Sequence, residues 1–146
     1  MIFNWVLINK LAIGTPPTFD EDRLLLKEKK IKSILDLRNE FDFRQIDFKK
    51  NLDLYKEFNL INISLPDHNS KRLATKYEIE NAVKNLEKLL DNGPVFMHCH
   101  AAIERSPLIC VAFLMKKKRL NYIQAYEYVK QQNITTNILQ EQLNQI

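Results

Sequence analysis

Apolar and polar positions along this chain switch between a strand-like period of two and a helix-like period of 3.6. The run NWVLINKLAIG holds short apolar clusters broken by Asn, Lys and Gly14, which predicts one or two short strands. TPPTF reads as a turn. DEDRLLLKEKK, residues 20–30, carries acids in its first turn and lysines in its last, matching a helix dipole. SILDL, 33–37, predicts a short buried strand. From Phe41 to Phe58 apolar and charged residues mix in no single period, so a helical or irregular excursion is expected with open boundaries. NLINISL, 59–65, alternates as a strand.

The second half is richer in helix. Thr75 with Glu78 forms a capping box, and Ile79, Ala82, Val83, Leu86, Leu89 and Leu90 make one apolar stripe that ends at DNG. PVFMH, 94–98, predicts a buried strand. The segment from Ser106 to about Lys118 is apolar nearly all round, so it is expected to be a central, buried helix. NYIQAYEYVKQQ predicts another helix with Tyr122, Ala125, Tyr126 and Val129 on its inner face. The tail ITTNILQEQLNQI places Ile134, Ile138, Leu139, Leu143 and Ile146 at helical spacing, which predicts a docked terminal helix. The sum is an α/β fold: a central, largely parallel sheet flanked by helices on both sides, with one loop between a central strand and the buried helix.

Composition narrows the function classes. The 146 residues carry no repeat, linker or composition break, so one domain over 1–146 is expected. Apolar residues make up 45% and charged residues 27%, ordinary for a globular chain. The net charge of +4 suits an anionic partner but is too small to predict nucleic acid. No apolar run of spanning length and no signal-peptide pattern occurs, so no membrane partner is expected and the cytoplasm is the expected compartment. A monomer is the default. Two cysteines are too few for a disulfide framework, and Cys110 sits in the apolar run LICVAFLM as a core filler.

Candidate chemistry concentrates at HCHAAIERSP, 98–107. Cys99 follows the predicted strand, and five residues separate it from Arg105 at the start of the buried helix. A loop of that length can turn successive amides toward one tetrahedral oxyanion, aided by the helix dipole. An arginine can grip two oxygens of that anion, and the same positive environment favours a thiolate. Ser106 can donate a hydrogen bond to the sulfur. Asp67 in LPDHNSKR lies 32 positions before Cys99, and the intervening helix and strand return the chain beside it, which makes Asp67 the candidate general acid. His98, Cys99, His100 and His68 have ligand chemistry but not metal-site spacing, so neither metal nor cofactor is expected. Arg38 reads as a structural ion pair, Lys71 and Arg72 as a solvated turn or an acidic-substrate contact. KKKR at 116–119 reads as a basic patch or as cations closing a helix.

The segment HCHAAIERSP resembles the HC-x5-R-[ST] signature of the protein tyrosine phosphatase superfamily, and its Ser-Pro ending looks most like the dual-specificity branch. SILDLR, LPDH and TTNILQEQL resemble the same branch more loosely. The resemblance implies Cys99 as nucleophile, Arg105 as phosphate clamp, Asp67 as general acid and Ser106 as an aid to thiolate departure. It also implies His98 ordering the loop, and the amides of His100, Ala101, Ala102, Ile103, Glu104 and Arg105 cradling phosphate. Asn137 aligns with a residue that braces the site. Ala102 stands where that family usually has glycine. The implied substrate is a phosphorylated protein or peptide. A rhodanese-like sulfurtransferase and a catalytically silent phosphate-binding module remain as alternatives.

Overall fold

The computed structural model describes residues 1–45 and 51–146. The excursion expected over 41–58 therefore falls partly outside the described residues. Five strands form one sheet: β1 (Phe3–Leu7), β2 (Leu11–Gly14), β3 (Ser33–Asp36), β4 (Asn59–Asn62) and β5 (Val95–His98), in the spatial order β1-β2-β5-β3-β4. β1 and β2 are the antiparallel hairpin, turning at Asn9 with φ 62°; every other neighbouring pair is parallel. The helices are α1 (Asp20–Glu28), α2 (Glu40–Phe43), α3 (Lys76–Leu90), α4 (Arg105–Lys118), α5 (Tyr122–Gln132) and α6 (Gln140–Leu143).

Strand alternation splits the core in two. Leu11, Ile13, Leu35, Leu37, Val95 and Met97 face α3, α4 and α5, while Ala12, Ile34 and Phe96 face Leu26 of α1 together with Tyr55 and Phe58. Helices thus cover both faces, as expected, with the larger mass on one. α3 begins at its capping box: the Glu78 amide donates to Thr75 Oγ1 at 3.1 Å and the Thr75 amide to Glu78 Oε1 at 3.0 Å. Its buried Ile79, Val83, Leu86 and Leu89 each contribute roughly 1.5–3 kcal/mol. α4 is buried from Arg105 to Leu114, wedged between the sheet and its neighbours α3 and α5.

Three expectations need correction. The tail is not a helix over 134–146: only Gln140–Leu143 is helical, and Ile134 and Leu139 are exposed. The polar side chains of Asn133, Thr135 and Thr136, hydrogen-bonded elsewhere, hold the backbone before it off the helical path. Tyr122 faces solvent, so the inner face of α5 is Ala125 and Val129 with Tyr126 and Tyr128 partly buried. The last parallel ladder closes at Asn62 rather than at residue 65, although Ile63 and Leu65 still donate to Asp36 and Leu37 carbonyls. Among the described residues, no helix is long and apolar enough to cross a membrane.

Candidate active site

Parallel pairing brings the carboxyl ends of β2, β3, β4 and β5 to one edge, and the candidate loop lies there, the position that open α/β sheets use for ligands. β5 delivers His98 and Cys99, both buried; the loop runs to Glu104; α4 starts at Arg105. Cys99 Sγ lies 3.3 Å from Ser106 Oγ. The backbone N–H groups of His100 through Ser106 meet no acceptor among the described residues. A run of donors without protein acceptors at a helix N-terminus has the chemistry to bind an anion.

The loop is held from outside by its carbonyls. Ala102 O accepts Asn133 Nδ2 and Thr135 Oγ1, both at 2.8 Å, and Ile103 O accepts the Asn137 amide at 2.8 Å. Asn137 does brace the site, through its backbone; the side-chain braces are Asn133 and Thr135. Ala102 has φ 59°, a left-handed conformation that strains a non-glycine residue by roughly 1–2 kcal/mol. Asn133 is fully buried and also contacts Thr136 Oγ1 and Asn4 Nδ2. Asn133→Ala removes three hydrogen bonds, although Ala102 O keeps Thr135 Oγ1, so a loss of about 2–3 kcal/mol in urea unfolding is expected.

Arg105 is buried and gripped by a carboxylate that sequence reasoning missed. Its Nη1 and Nη2 donate to Asp42 Oδ2 and Oδ1 at 2.7 and 3.2 Å, and Nη1 approaches Leu37 O at 3.4 Å. Its Nε donates to nothing among the described residues. Asp42 uses the end of the guanidinium, which leaves the Nε/Nη2 side as a second fork. Asp67 Oδ2 lies 3.6 Å from Nη2 on the same guanidinium, and its Oδ1 accepts the Asn69 amide at 3.0 Å and Ser70 Oγ at 3.2 Å. Burial works against ionisation of Asp42, but hydrogen bonds from Arg105 and the Asn39 amide hold its carboxyl below the usual range. The local signal for Asp42 is a second capping box: Asn39 caps α2, and Asp42 returns to the Asn39 amide at 2.9 Å.

Behind the loop, Asp36 and Arg38 form a buried bidentate pair, and Arg38 Nη2 donates to Tyr55 Oη at 3.2 Å. Arg38 is thus structural. Tyr55 Oη lies 2.9 Å from His98 Nε2, and His98 Nδ1 lies 3.3 Å from Cys99 O. A tyrosine hydroxyl donating to Nε2 leaves the proton on Nδ1, aimed at the Cys99 carbonyl. Burial pushes the His98 imidazole down to about 4 from 6.5. Between those values the unfolded chain binds the extra proton, so the contribution is full above pH ~6.5 and falls as the pH drops toward ~4, by about 1.4 kcal/mol per unit. Urea unfolding at about pH 5 is expected to show roughly 2 kcal/mol less stability than at about pH 7, a loss absent from His98→Asn. Loss of the Asp36 and Asp42 pairs falls in a separate window, below 3.8.

The loop opens into a cavity of about 440 Å³ lined by Asp42, Asp67, His68, Cys99, His100, Glu104 and Arg105, with Phe41 and Ile103 partly exposed at its rim. Burial raises the Glu104 carboxyl. His68 joins the cavity, whereas Arg72 turns away to pair with Glu78 at 2.7 Å. Among the described residues, no group of three His, Cys, Asp or Glu side chains is placed to hold a metal.

In fold, the chain is a phosphatase-like α/β domain. It superposes on PTPMT1 solved with PI(5)P (TM-score 0.78, 16% identity, 97% of this chain and 90% of that one) and on the active form of Tk-PTP (0.79, 15%, 97% and 91%). The human tyrosine phosphatase-like serine/threonine/tyrosine-interacting protein gives 0.79 at 18% identity, with 98% and 91% covered. Residues 18–146 match the family described as dual specificity phosphatase, catalytic domain, and the chain belongs to that family. It is 49% identical over 41 residues to dual specificity protein phosphatase 5 of Rattus norvegicus, covering 28% of this chain and 11% of that one. It is 35% identical over 69 residues to dual specificity protein phosphatase 1 of Mus musculus, covering 47% and 19%. The matched segments thus span between about a tenth and a fifth of those relatives. Neither the sulfurtransferase nor the silent-module alternative is favoured by these matches.

Proposed function

We propose that this chain, acting as one catalytic domain, is a cysteine-dependent protein phosphatase that needs no metal. The observation that carries the reading is the run of amides without protein acceptors from His100 to Ser106, which directly follows Cys99 and includes Arg105, whose guanidinium Asp42 engages along one edge only. A phosphoryl group supplies the oxygens those donors lack. The Cys99 thiolate attacks phosphorus, the bond to the leaving oxygen breaks, and protonated Asp67 gives that oxygen its proton. Water then attacks phosphorus while the Asp67 carboxylate takes a proton from it; the P–S bond breaks and the sulfur departs as thiolate beside Ser106 Oγ. His98 acts by positioning the Cys99 carbonyl. Phosphotyrosine, phosphoserine or phosphothreonine in proteins is the substrate class, as the names of the relatives suggest. A nucleophilic thiol needs a reducing compartment, which supports a cytoplasmic setting; both cysteines are free.

The experiment is hydrolysis of phosphate esters with EDTA present, comparing the native chain with Asp67→Asn. In kcat/KM, which reports on formation of the phosphoenzyme, a loss of about 10²–10⁴-fold is expected for phosphoserine peptides, whose alkoxide cannot leave unprotonated, and a far smaller loss for a nitrophenyl ester. An equal loss on both esters would remove Asp67 from the general-acid role. Absence of turnover by the native chain would sink the enzyme reading itself.

A further inference from the structure

The basic run at 116–119 has no part in that chemistry, and the fold puts it at the opposite end of the molecule. Because β2 to β5 are parallel, their amino ends share one edge, and α1, α3 and α4, running back from the site, all finish there. Lys117, Lys118 and Arg119 close α4 at this pole, Lys30 and Lys32 follow α1, and Lys10 ends the hairpin turn; all six are exposed. They form one surface: Lys10, Lys117 and Lys118 line a hollow of about 510 Å³ with Leu7, Leu90 and Phe113, and the Lys32 stem lies against Gly93, which lines the same hollow. The carboxylates at this pole include Glu87, shared by Lys116 and Lys117 at 2.6 and 3.1 Å, and Glu28 and Asp91 at the ends of α1 and α3.

Apolar side chains project from the same pole. Ile8, at the hairpin tip, is 76% exposed; Ile123 and Tyr122, in the first turn of α5, are 58% and 41% exposed. Helical side chains lean toward the helix N-terminus, here the basic pole. α5 packs along β1, Tyr128 donating to the Val6 carbonyl, which keeps its first turn on the hairpin's side. Helix-dipole closure accounts for lysines ending α4, but not for Lys10, Lys32 or Ile8, which lie outside helices.

We propose that this pole is a docking face for an anionic lipid bilayer. Exposed aliphatic tips at the same pole as Lys10, Lys30, Lys32, Lys118 and Arg119, which form no ion pair among the described residues, fit the headgroup boundary, where the tips bury and the cations meet anionic headgroups. A nucleic acid would engage the cations and leave Ile8 and Ile123 in water, and a second copy of the same face would repel. The expectation of no membrane partner rested on the absence of a spanning segment and does not touch peripheral binding. α4 is 14 residues long, so docking would hold the Cys99 loop roughly 20 Å from the bilayer, facing away from it. If the phosphatase reading holds, this orientation selects phosphoproteins near the membrane rather than its own lipids.

The test is sedimentation of the full chain with phosphatidylcholine vesicles and with mixed phosphatidylcholine–phosphatidylserine vesicles. Binding only to the mixed vesicles, weakened by salt, is expected. Lys10→Gln and Lys118→Gln should each lower the partition coefficient about fivefold, and Ile8→Ser about tenfold. Saturating tungstate at constant ionic strength, which fills the catalytic cavity, should leave it unchanged, and thermal melts of the surface variants should match the native chain. Equal sedimentation with both vesicle types would overturn the proposal, as would release of the chain from the vesicles by tungstate, which would mean headgroup capture by the catalytic cavity. Binding of a DNA duplex without vesicle binding, insensitive to Ile8→Ser, would assign the face to nucleic acid instead. Sedimentation and hydrolysis are read separately, so failure of one leaves the other standing.

Discussion

Cys99→Ser is expected to reduce phosphate-ester hydrolysis by on the order of 10⁴-fold or more while phosphate or tungstate still binds. The proposed oxyanion site is made of backbone amides and Arg105, and the substitution touches neither. What disappears is the sulfur that bonds to phosphorus in the proposed mechanism, since a serine hydroxyl in its place is a poor nucleophile at neutral pH. The pairing with Ser106 at 3.3 Å involves a side chain that can donate to either atom, so the fold should be retained. Steady-state assays combined with tungstate titration by calorimetry separate the two effects. Loss of tungstate binding would show that the sulfur shapes the site rather than reacting in it.

The second large effect is at Arg105. Arg105→Lys is expected to lower kcat/KM by about 10²–10³-fold, because an ammonium cannot serve Asp42 with one edge and an anion with the other. Asp42→Ala tests the same geometry from behind. It leaves a buried guanidinium without its bidentate partner, at a cost of roughly 3–5 kcal/mol in stability, and releases the fork that faces the cavity. An activity loss approaching that of Arg105→Lys is expected, read as raised KM together with lowered kcat. Native-like kinetics in Asp42→Ala would show that the loop and α4 alone orient Arg105.

Features set by neighbours in the chain were legible before the structure. The Thr75–Glu78 box starts α3 where it was expected, and the five-residue spacing from Cys99 to Arg105 spans strand end to helix start. Asp67 was found because a helix and a strand of predictable length return the chain to it. Asp42 was not, since its partner lies 63 positions away and its segment shows no clean period. Tyr55 was invisible for the same reason: its value lies in reaching His98 across 43 positions. In the tail the apolar spacing was misleading, because Asn133 and Thr135 spend their polar groups on the Ala102 carbonyl and the chain follows them away from a helix. Ala102 shows the reverse case. Its sequence position raised the question of a positive φ, and the structure answers it with 59° in a loop pinned from outside.

The proposed mechanism requires phosphorus to bond to one sulfur, that of Cys99. The measurement that tests this most directly is acid quenching of the native chain during turnover of a phosphotyrosyl peptide, followed by peptide mass spectrometry. The proposed mechanism predicts one phosphoryl group on the peptide containing Cys99, absent from Cys99→Ser and accumulating in Asp67→Asn during turnover of a nitrophenyl ester, whose departure needs no acid while hydrolysis of the intermediate lacks its base. Turnover with no phosphoryl group on that peptide, or with phosphate carried on His98 or His100, would contradict it.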